Sequence, residues 1–240
     1  MAVNWLPFIG CLSIAFGPSV TLFLCTAAKE AQAVILLITS AFFWLLSLLL
    51  SSLVWLAVVP LRKHLAFTLV FSVLFQEALR ILFVLLVKKT NVALSRISRE
   101  TTDLFHGPRY SVIAGLGYGV MSAMFMYVNV LSEASGPGTY YTPGSPSMPI
   151  FVSGALQASV MTGLHVCWGL LCSDGVEKRS WPLLLSVTLT HLLVSCLTLM
   201  NEAGMSPLYA IIFSYLALIL IGAYTFRRFQ GNVKPFFKIL

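Results

Sequence analysis

The sequence predicts an all-α, polytopic membrane protein with seven transmembrane helices in one domain spanning residues 1–240. The N-terminus is expected on the exoplasmic side and the C-terminus in the cytosol. Three observations carry the prediction. The first is composition. Of 240 residues, 58% are hydrophobic and 10% charged, with a mean hydropathy of +0.91, whereas soluble domains are about a quarter charged. A soluble globule of this length leaves too much surface wet to hide such an apolar excess. A soluble enzyme, a disordered chain and a secreted disulfide module are therefore poor readings. The second is the recurrence of seven apolar stretches, each near the roughly 20 residues that a helix needs to cross a bilayer. The third is that basic residues sit between those stretches, so the net charge of +7 reflects the positive-inside rule before it suggests nucleic acid.

The first span is placed near residues 3–27. It is too long for a signal-peptide core, and Asn4 and Trp5 stand where a basic leader would be, so it is expected to be retained. Gly17-Pro18 inside it predicts a local break, because proline lacks the N–H and frees a carbonyl. The second and third spans fall near 33–59 and 65–87. A basic, polar loop is expected over 88–110, then a fourth span near 111–131. Residues 132–148 carry Gly136-Pro137-Gly138, Pro143-Gly144 and Pro146 without Lys or Arg, a turn-rich loop. The last spans fall near 149–172, 181–200 and 206–226. No internal repeat supports an inverted-repeat transporter plan.

With the N-terminus outside, the cytosolic segments hold twelve Lys and Arg: Lys29, Lys88, Lys89, Arg96, Arg99, Arg109, Lys178, Arg179, Arg227, Arg228, Lys234 and Lys238. The opposite side holds Arg62 and Lys63, and this asymmetry sets the predicted orientation. The five cysteines, Cys11, Cys25, Cys167, Cys172 and Cys196, lie in or beside apolar runs at no zinc-like spacing. They read as small buried side chains.

A few residues are costly in hydrocarbon. Glu77 and Arg80, beside Gln76, lie near the middle of the third span, where a charge costs roughly 2.5–3.5 kcal/mol on insertion scales. Their i, i+3 spacing puts both on one helix face, where they can neutralise each other. Either a contact to another helix or subunit, or a private ion pair, fits that spacing. His165 and His191 are expected to point into the bundle and bond to other helices, with Thr188, Thr190 and Ser195 as local partners for His191. No third group at motif spacing suggests a metal site. In the fourth span Gly115, Gly119 and Ala123 recur every four residues, a groove for close helix packing within the bundle or against a partner.

Catalytic patterns are missing. Asp103 lies in a loop and Asp174 at a boundary, so no intramembrane aspartate pair can share a proton as in an aspartyl protease. There is no His-Glu-x-x-His, no Walker or dinucleotide glycine motif, and neither Asp-Arg-Tyr nor Asn-Pro-x-x-Tyr of a seven-span receptor. No cofactor is expected. Two rival readings remain: a transporter with His165, His191 and Glu77 along a path, and a serine hydrolase pairing Ser153 with His191.

Taken together, Ala15-Phe16-Gly17-Pro18, Ala41-Phe42-Phe43-Trp44-Leu45-Leu46-Ser47-Leu48-Leu49, Gln76-Glu77-Ala78-Leu79-Arg80 and Gly115-Leu116-Gly117-Tyr118-Gly119 resemble a known family. Gly136-Pro137-Gly138-Thr139, Leu164-His165-Val166-Cys167-Trp168-Gly169 and His191-Leu192-Leu193-Val194-Ser195 extend the match in order. The family is the anterior-pharynx-defective (Aph-one) subunit of gamma-secretase. The resemblance implies a non-catalytic scaffold that stabilises presenilin and nicastrin and joins the presenilin-enhancer subunit. It supports cleavage of single-span proteins such as Notch and amyloid precursor, with presenilin supplying the aspartates. The family's glycine groove maps to Gly115, Gly119 and Ala123, and its two intramembrane histidines to His165 and His191. It also implies residence in endoplasmic reticulum, Golgi, plasma and endosomal membranes, with lipid contacts and no nucleic acid. Two features depart from the family pattern: Ala123 replaces the third groove glycine, and Pro143-Gly144-Ser145 stands where many relatives have His-Gly-Asp.

Overall fold

The computed structural model describes residues 5–61, 63–97, 107–136, 138–142, 144–201 and 204–231. Asn4, Arg62, Arg99, Asp103, Pro137, Pro143, Lys234 and Lys238, used in the readings above, lie outside the described residues. Seven helices long and apolar enough to cross a membrane account for most of the chain: α1 (Trp5–Thr26), α2 (Ala31–Ala57), α3 (Leu65–Ile97), α4 (Pro108–Glu133), α5 (Ile150–Glu177), α6 (Trp181–Leu197) and α7 (Pro207–Arg228). Proline stands in the first turn of α4, α6 and α7, where its missing N–H has no intrahelical partner to lose. Ser206 also caps α7 by accepting from the Leu208 N–H.

Two boundary expectations need correction. The loop expected over 88–110 is helical as far as Ile97, because Lys88–Ile97 holds no glycine or proline to stop α3. Hydropathy marks where the bilayer ends, whereas a helix ends where its backbone does. The break expected at Gly17-Pro18 is absent, and α1 runs through Pro18. Buried Ala15 and Ser19 flank the proline, so packing against α4 and α5 holds that turn in line. The Thr21 hydroxyl donates to the Gly17 carbonyl at 2.9 Å.

α4 and α5 form the central pair. α1 packs on both, α2 on α4 and α3, and α7 on α5; α3 and α6 meet each other and α5. The turn-rich loop contains a short antiparallel hairpin, β1 (Tyr141–Thr142) and β2 (Ser145–Pro149), which periodicity did not predict. Gly144 lies against Gly204 and Met205 of the α6–α7 connection, with an added Cβ only 2.5 Å from the Gly204 carbonyl.

Hydrophobic collapse does little between helices in lipid, so close backbone approach and interhelical hydrogen bonds order the bundle. α4 supplies both. A Cβ on Gly115 would lie 2.7 Å from the His165 carbonyl oxygen and the Val166 Cα, and one on Gly119 2.9 Å from the Thr162 Cα. From the facing helix, a Cβ on Gly169 would lie 2.7 Å from the Gly115 Cα. Ala123 is fully buried beside Tyr127 and Ala155 in the same seam. Of the two roles left open for this groove, packing within the bundle is the one seen, with α5 of the same chain filling it. Gly117 faces the other way, toward Ser40 and Leu37 of α2. This second close approach was visible in the sequence as a glycine but was assigned no role there.

The end of the bundle bearing Lys88 is tied by ion pairs. Arg109 bonds Glu30 at 2.8 Å and donates to the Thr26 carbonyl, capping the C-terminus of α1 from α4. Asp174 pairs with Lys178 at 2.7 Å and with Arg228 of α7 at 2.6 Å. Cys11 and Cys172 are buried, Cys167 and Cys196 half-buried, and Cys25 exposed, which corrects the expectation for Cys25; all five are free thiols.

Candidate functional site

The costly residues of α3, α5 and α6 converge. Glu77 and Arg80 are 3.1 Å apart across one helical turn, and each also reaches another helix. The His191 Nδ1–H of α6 donates to Glu77 Oε1 at 2.6 Å. Arg80 donates through Nη1 to the His165 carbonyl at 3.1 Å. Its Nη2 meets His165 Nδ1 at 2.8 Å. A guanidinium only donates, so Nδ1 of His165 is the acceptor and its proton sits on Nε2. Both roles left open by the spacing are filled together: Glu77 and Arg80 pair with each other and also bond across helices.

Aromatic rings close the cluster. Trp168 stacks on His191 at 4.2 Å, and His165 meets His191 edge-on at 5.1 Å. The Arg80 guanidinium lies 4.7 Å from the Tyr118 ring centroid, a cation–π contact. Glu77 and Arg80 are 3% and 2% exposed, His165 and His191 0% and 1%. Such burial is tolerable only because each charge meets opposite charge and hydrogen-bond partners.

The neighbouring polar residues take other partners than expected. His191 bonds to Glu77 rather than to a local hydroxyl. Thr190 accepts from the Trp168 indole at 3.1 Å, and Thr188 donates to the Leu184 carbonyl. Gln76 turns to α2, where it accepts from the Trp44 indole at 3.0 Å, and its amide donates to Ser72. Trp168, Trp44 and Tyr118 had no assigned role in the sequence reading, since one tryptophan in an apolar run looks like any other apolar residue.

The geometry disfavours both rivals. The Ser153 hydroxyl donates to the Ile150 carbonyl in the first turn of α5. His165, which touches His191, is twelve residues further along that helix, about 18 Å at 1.5 Å per residue. Ser153 and His191 therefore do not meet. Glu77, His165 and His191 line neither of two cavities found among the described residues, one of about 300 Å³ and one of about 10 Å³. Among the described residues no group of His, Cys, Asp and Glu has the arrangement of a metal site.

A seven-helix bundle whose third, fifth and sixth helices share one Glu–Arg–His–His cluster has relatives that match it over most of its length. The family model described as Aph-1 protein matches residues 6–232. The chain belongs to the Aph-1 family. It is 40% identical over 237 residues to the gamma-secretase subunit Aph-1 of Drosophila melanogaster, covering 97% of each chain. It is 40% identical over 237 residues to the gamma-secretase subunit APH-1B of Homo sapiens, covering 95% of this chain and 90% of that one. A more distant relative is the gamma-secretase subunit APH1-like of Arabidopsis thaliana, 30% identical over 204 residues. Membership of the Aph-1 family and seven membrane-length helices make the protein an integral, multi-pass membrane protein.

Proposed function

We propose that this chain is a subunit of a gamma-secretase complex and serves there as a non-catalytic scaffold. It holds presenilin and nicastrin together with the presenilin-enhancer subunit, so that presenilin cleaves single-span proteins such as Notch and amyloid precursor. The observation that supports this reading is how the intramembrane charges are used. Glu77 accepts from α6 and Arg80 donates to α5, so both intramembrane charges are engaged in contacts between helices. Polar side chains so placed hold helices together.

Because α5 fills the Gly115–Gly119 groove, partner helices are received on the outer faces. α1 is the best suited: nothing lies within 4 Å of a Cβ built on Gly10 or Gly17, and Ser13 and Thr21 satisfy their hydroxyls on their own helix. The other outward side chains, among them Leu185, Leu193, Ile219 and Leu220, suit lipid tails or apolar helices. In this reading residues 1–240 act as one domain. The N-terminus is exoplasmic and the tail cytosolic, and the complex works in endoplasmic reticulum, Golgi, plasma and endosomal membranes.

The test is affinity purification of the tagged chain in mild detergent, followed by rescue of cells lacking their own Aph-1 proteins. Presenilin and nicastrin should co-purify, and cleavage of a single-span reporter should return. Recovery of the chain alone, or proteolysis by the isolated chain, would overturn the proposal.

A further inference from the structure

The larger cavity, about 300 Å³, opens at the Lys88 end of the bundle. Phe83 and Val87 of α3, Leu170 of α5 and Phe229, just past α7, form apolar parts of its wall. An apolar cavity of about 150 Å³ takes up one benzene molecule, so this space has room for about two aromatic rings. Apolar wall left open to water is unfavourable. The occupant that suits it is apolar, bears rings and arrives at this end of the molecule.

The chain itself brings such a segment to the mouth. Phe229 packs against the cluster of Val112, Leu116, Val166 and Leu170, which fixes the end of α7 beside the cavity. There the helix closes on a reversal. The Gly231 N–H donates to the Phe226 carbonyl at 2.9 Å and the Gln230 N–H to the Arg227 carbonyl at 3.0 Å, the paired bonds of a Schellman turn. Gln230 and Gly231 have φ of 64° and 66°, so the chain leaves the helix axis instead of running on past the bundle. Residues 232–240 follow, reading Asn-Val-Lys-Pro-Phe-Phe-Lys-Ile-Leu. Five of the nine are Val, Phe, Ile or Leu; two are lysine and none is acidic. Nine residues reach at most about 30 Å, ample for a cavity whose wall begins at Phe229, two residues before Gly231.

We propose that, before the chain meets a partner, its residues 232–240 fold back and fill this cavity, with the Phe236 and Phe237 rings against Phe83, Val87 and Leu170. Charge agrees with that occupant. Asp174 and Glu177 stand at the wall with one cation, Lys88. Asp174 is already paired with Lys178 and Arg228, which leaves Glu177 for Lys234 or Lys238. The tail then covers apolar wall that would otherwise face water, and any other segment using the cavity must first displace it.

Two measurements on the full chain, purified in detergent, test this. With photoreactive p-benzoylphenylalanine in place of Phe236, irradiation should join position 236 to residues 83–91 or 170–177 of the same chain, as read by mass spectrometry. Adducts confined to detergent, to other parts of the surface or to a second copy would overturn the proposal. Ser173 lines the cavity, so Ser173→Cys gives the second readout. Its reaction with a small neutral methanethiosulfonate is corrected for the chain that keeps Ser173 and has the same tail. That reaction should speed up severalfold when the chain is ended after Gly231, and likewise when Phe236→Ser and Phe237→Ser are combined. Equal rates with the tail intact and altered would overturn the proposal. The doubly substituted chain keeps its length, so this readout stands even if the shortened chain fails to fold.

Discussion

α4 and α1 are both apolar helices carrying several glycines, yet they are built for opposite tasks. Of the most apolar stretch of α4, 56% is buried within the chain, against 17% for α1. In α4, Gly115 and Gly119 bring backbone to within contact of α5, and Gly117 does the same toward α2. In α1, Gly10 and Gly17 face open space. The same residue type therefore closes one helix inside the bundle and leaves another accessible at its rim. Small-residue spacing alone identifies a helix able to pack closely, and says nothing of which neighbour it packs on.

The largest effect that would sharpen this contrast is at the charge cluster beside α4. Arg80→Met removes the partner of a buried carboxylate and leaves Glu77 with His191 alone, and breaking such a pair costs about 3–5 kcal/mol. The purified variant should melt far earlier, or fail to accumulate in the membrane. An unchanged melting temperature would show that Glu77 takes up a proton at little cost. Next comes Gly115→Ala, whose new methyl meets the His165 carbonyl at 2.7 Å. Overpacking of this kind costs about 1–3 kcal/mol, read as a lower melting temperature of the isolated chain.

A smaller loss is expected for Tyr127→Phe. The Tyr127 hydroxyl donates to the Phe151 carbonyl at 2.7 Å, and its removal leaves that carbonyl short of one bond, a loss of about 1 kcal/mol. The smallest effect, with the opposite sign, belongs to the outer helix. Gly10→Ala meets no atom of another element within 4 Å, and alanine reduces the freedom that the helix must give up, for about 0.4–1 kcal/mol of stabilisation. Measured side by side, Gly115→Ala and Gly10→Ala should shift the melting temperature in opposite directions. Equal shifts would break the distinction between inner and outer glycines. Loss of presenilin from a Gly17→Leu chain that still folds would place a partner on α1.

Much of the architecture was legible without coordinates. Seven spans, the membrane setting and the pairing of Glu77 with Arg80 follow from hydropathy and i, i+3 spacing, which depend on residues near each other in sequence. The C-terminal end of α3 and the passage of α1 through Pro18 were not legible, since hydropathy reports burial in lipid and not the backbone. The joining of Glu77 to His191, 114 residues apart, was beyond reach for a related reason: many helices could have faced α3.

The sequence by itself determined that this chain crosses the membrane and which side chains are too costly to leave facing lipid. Composition and local spacing settle those questions because the free energy of burying each group in hydrocarbon depends first on its own chemistry. Only the tertiary structure decided that α5, and no other helix, fills the groove of α4. It alone brought Arg80 to the backbone of α5 and Glu77 to His191 of α6. Helix surfaces of similar apolar character differ little in their attraction for one another, so the neighbour is chosen by steric fit and by the directions of a few hydrogen bonds.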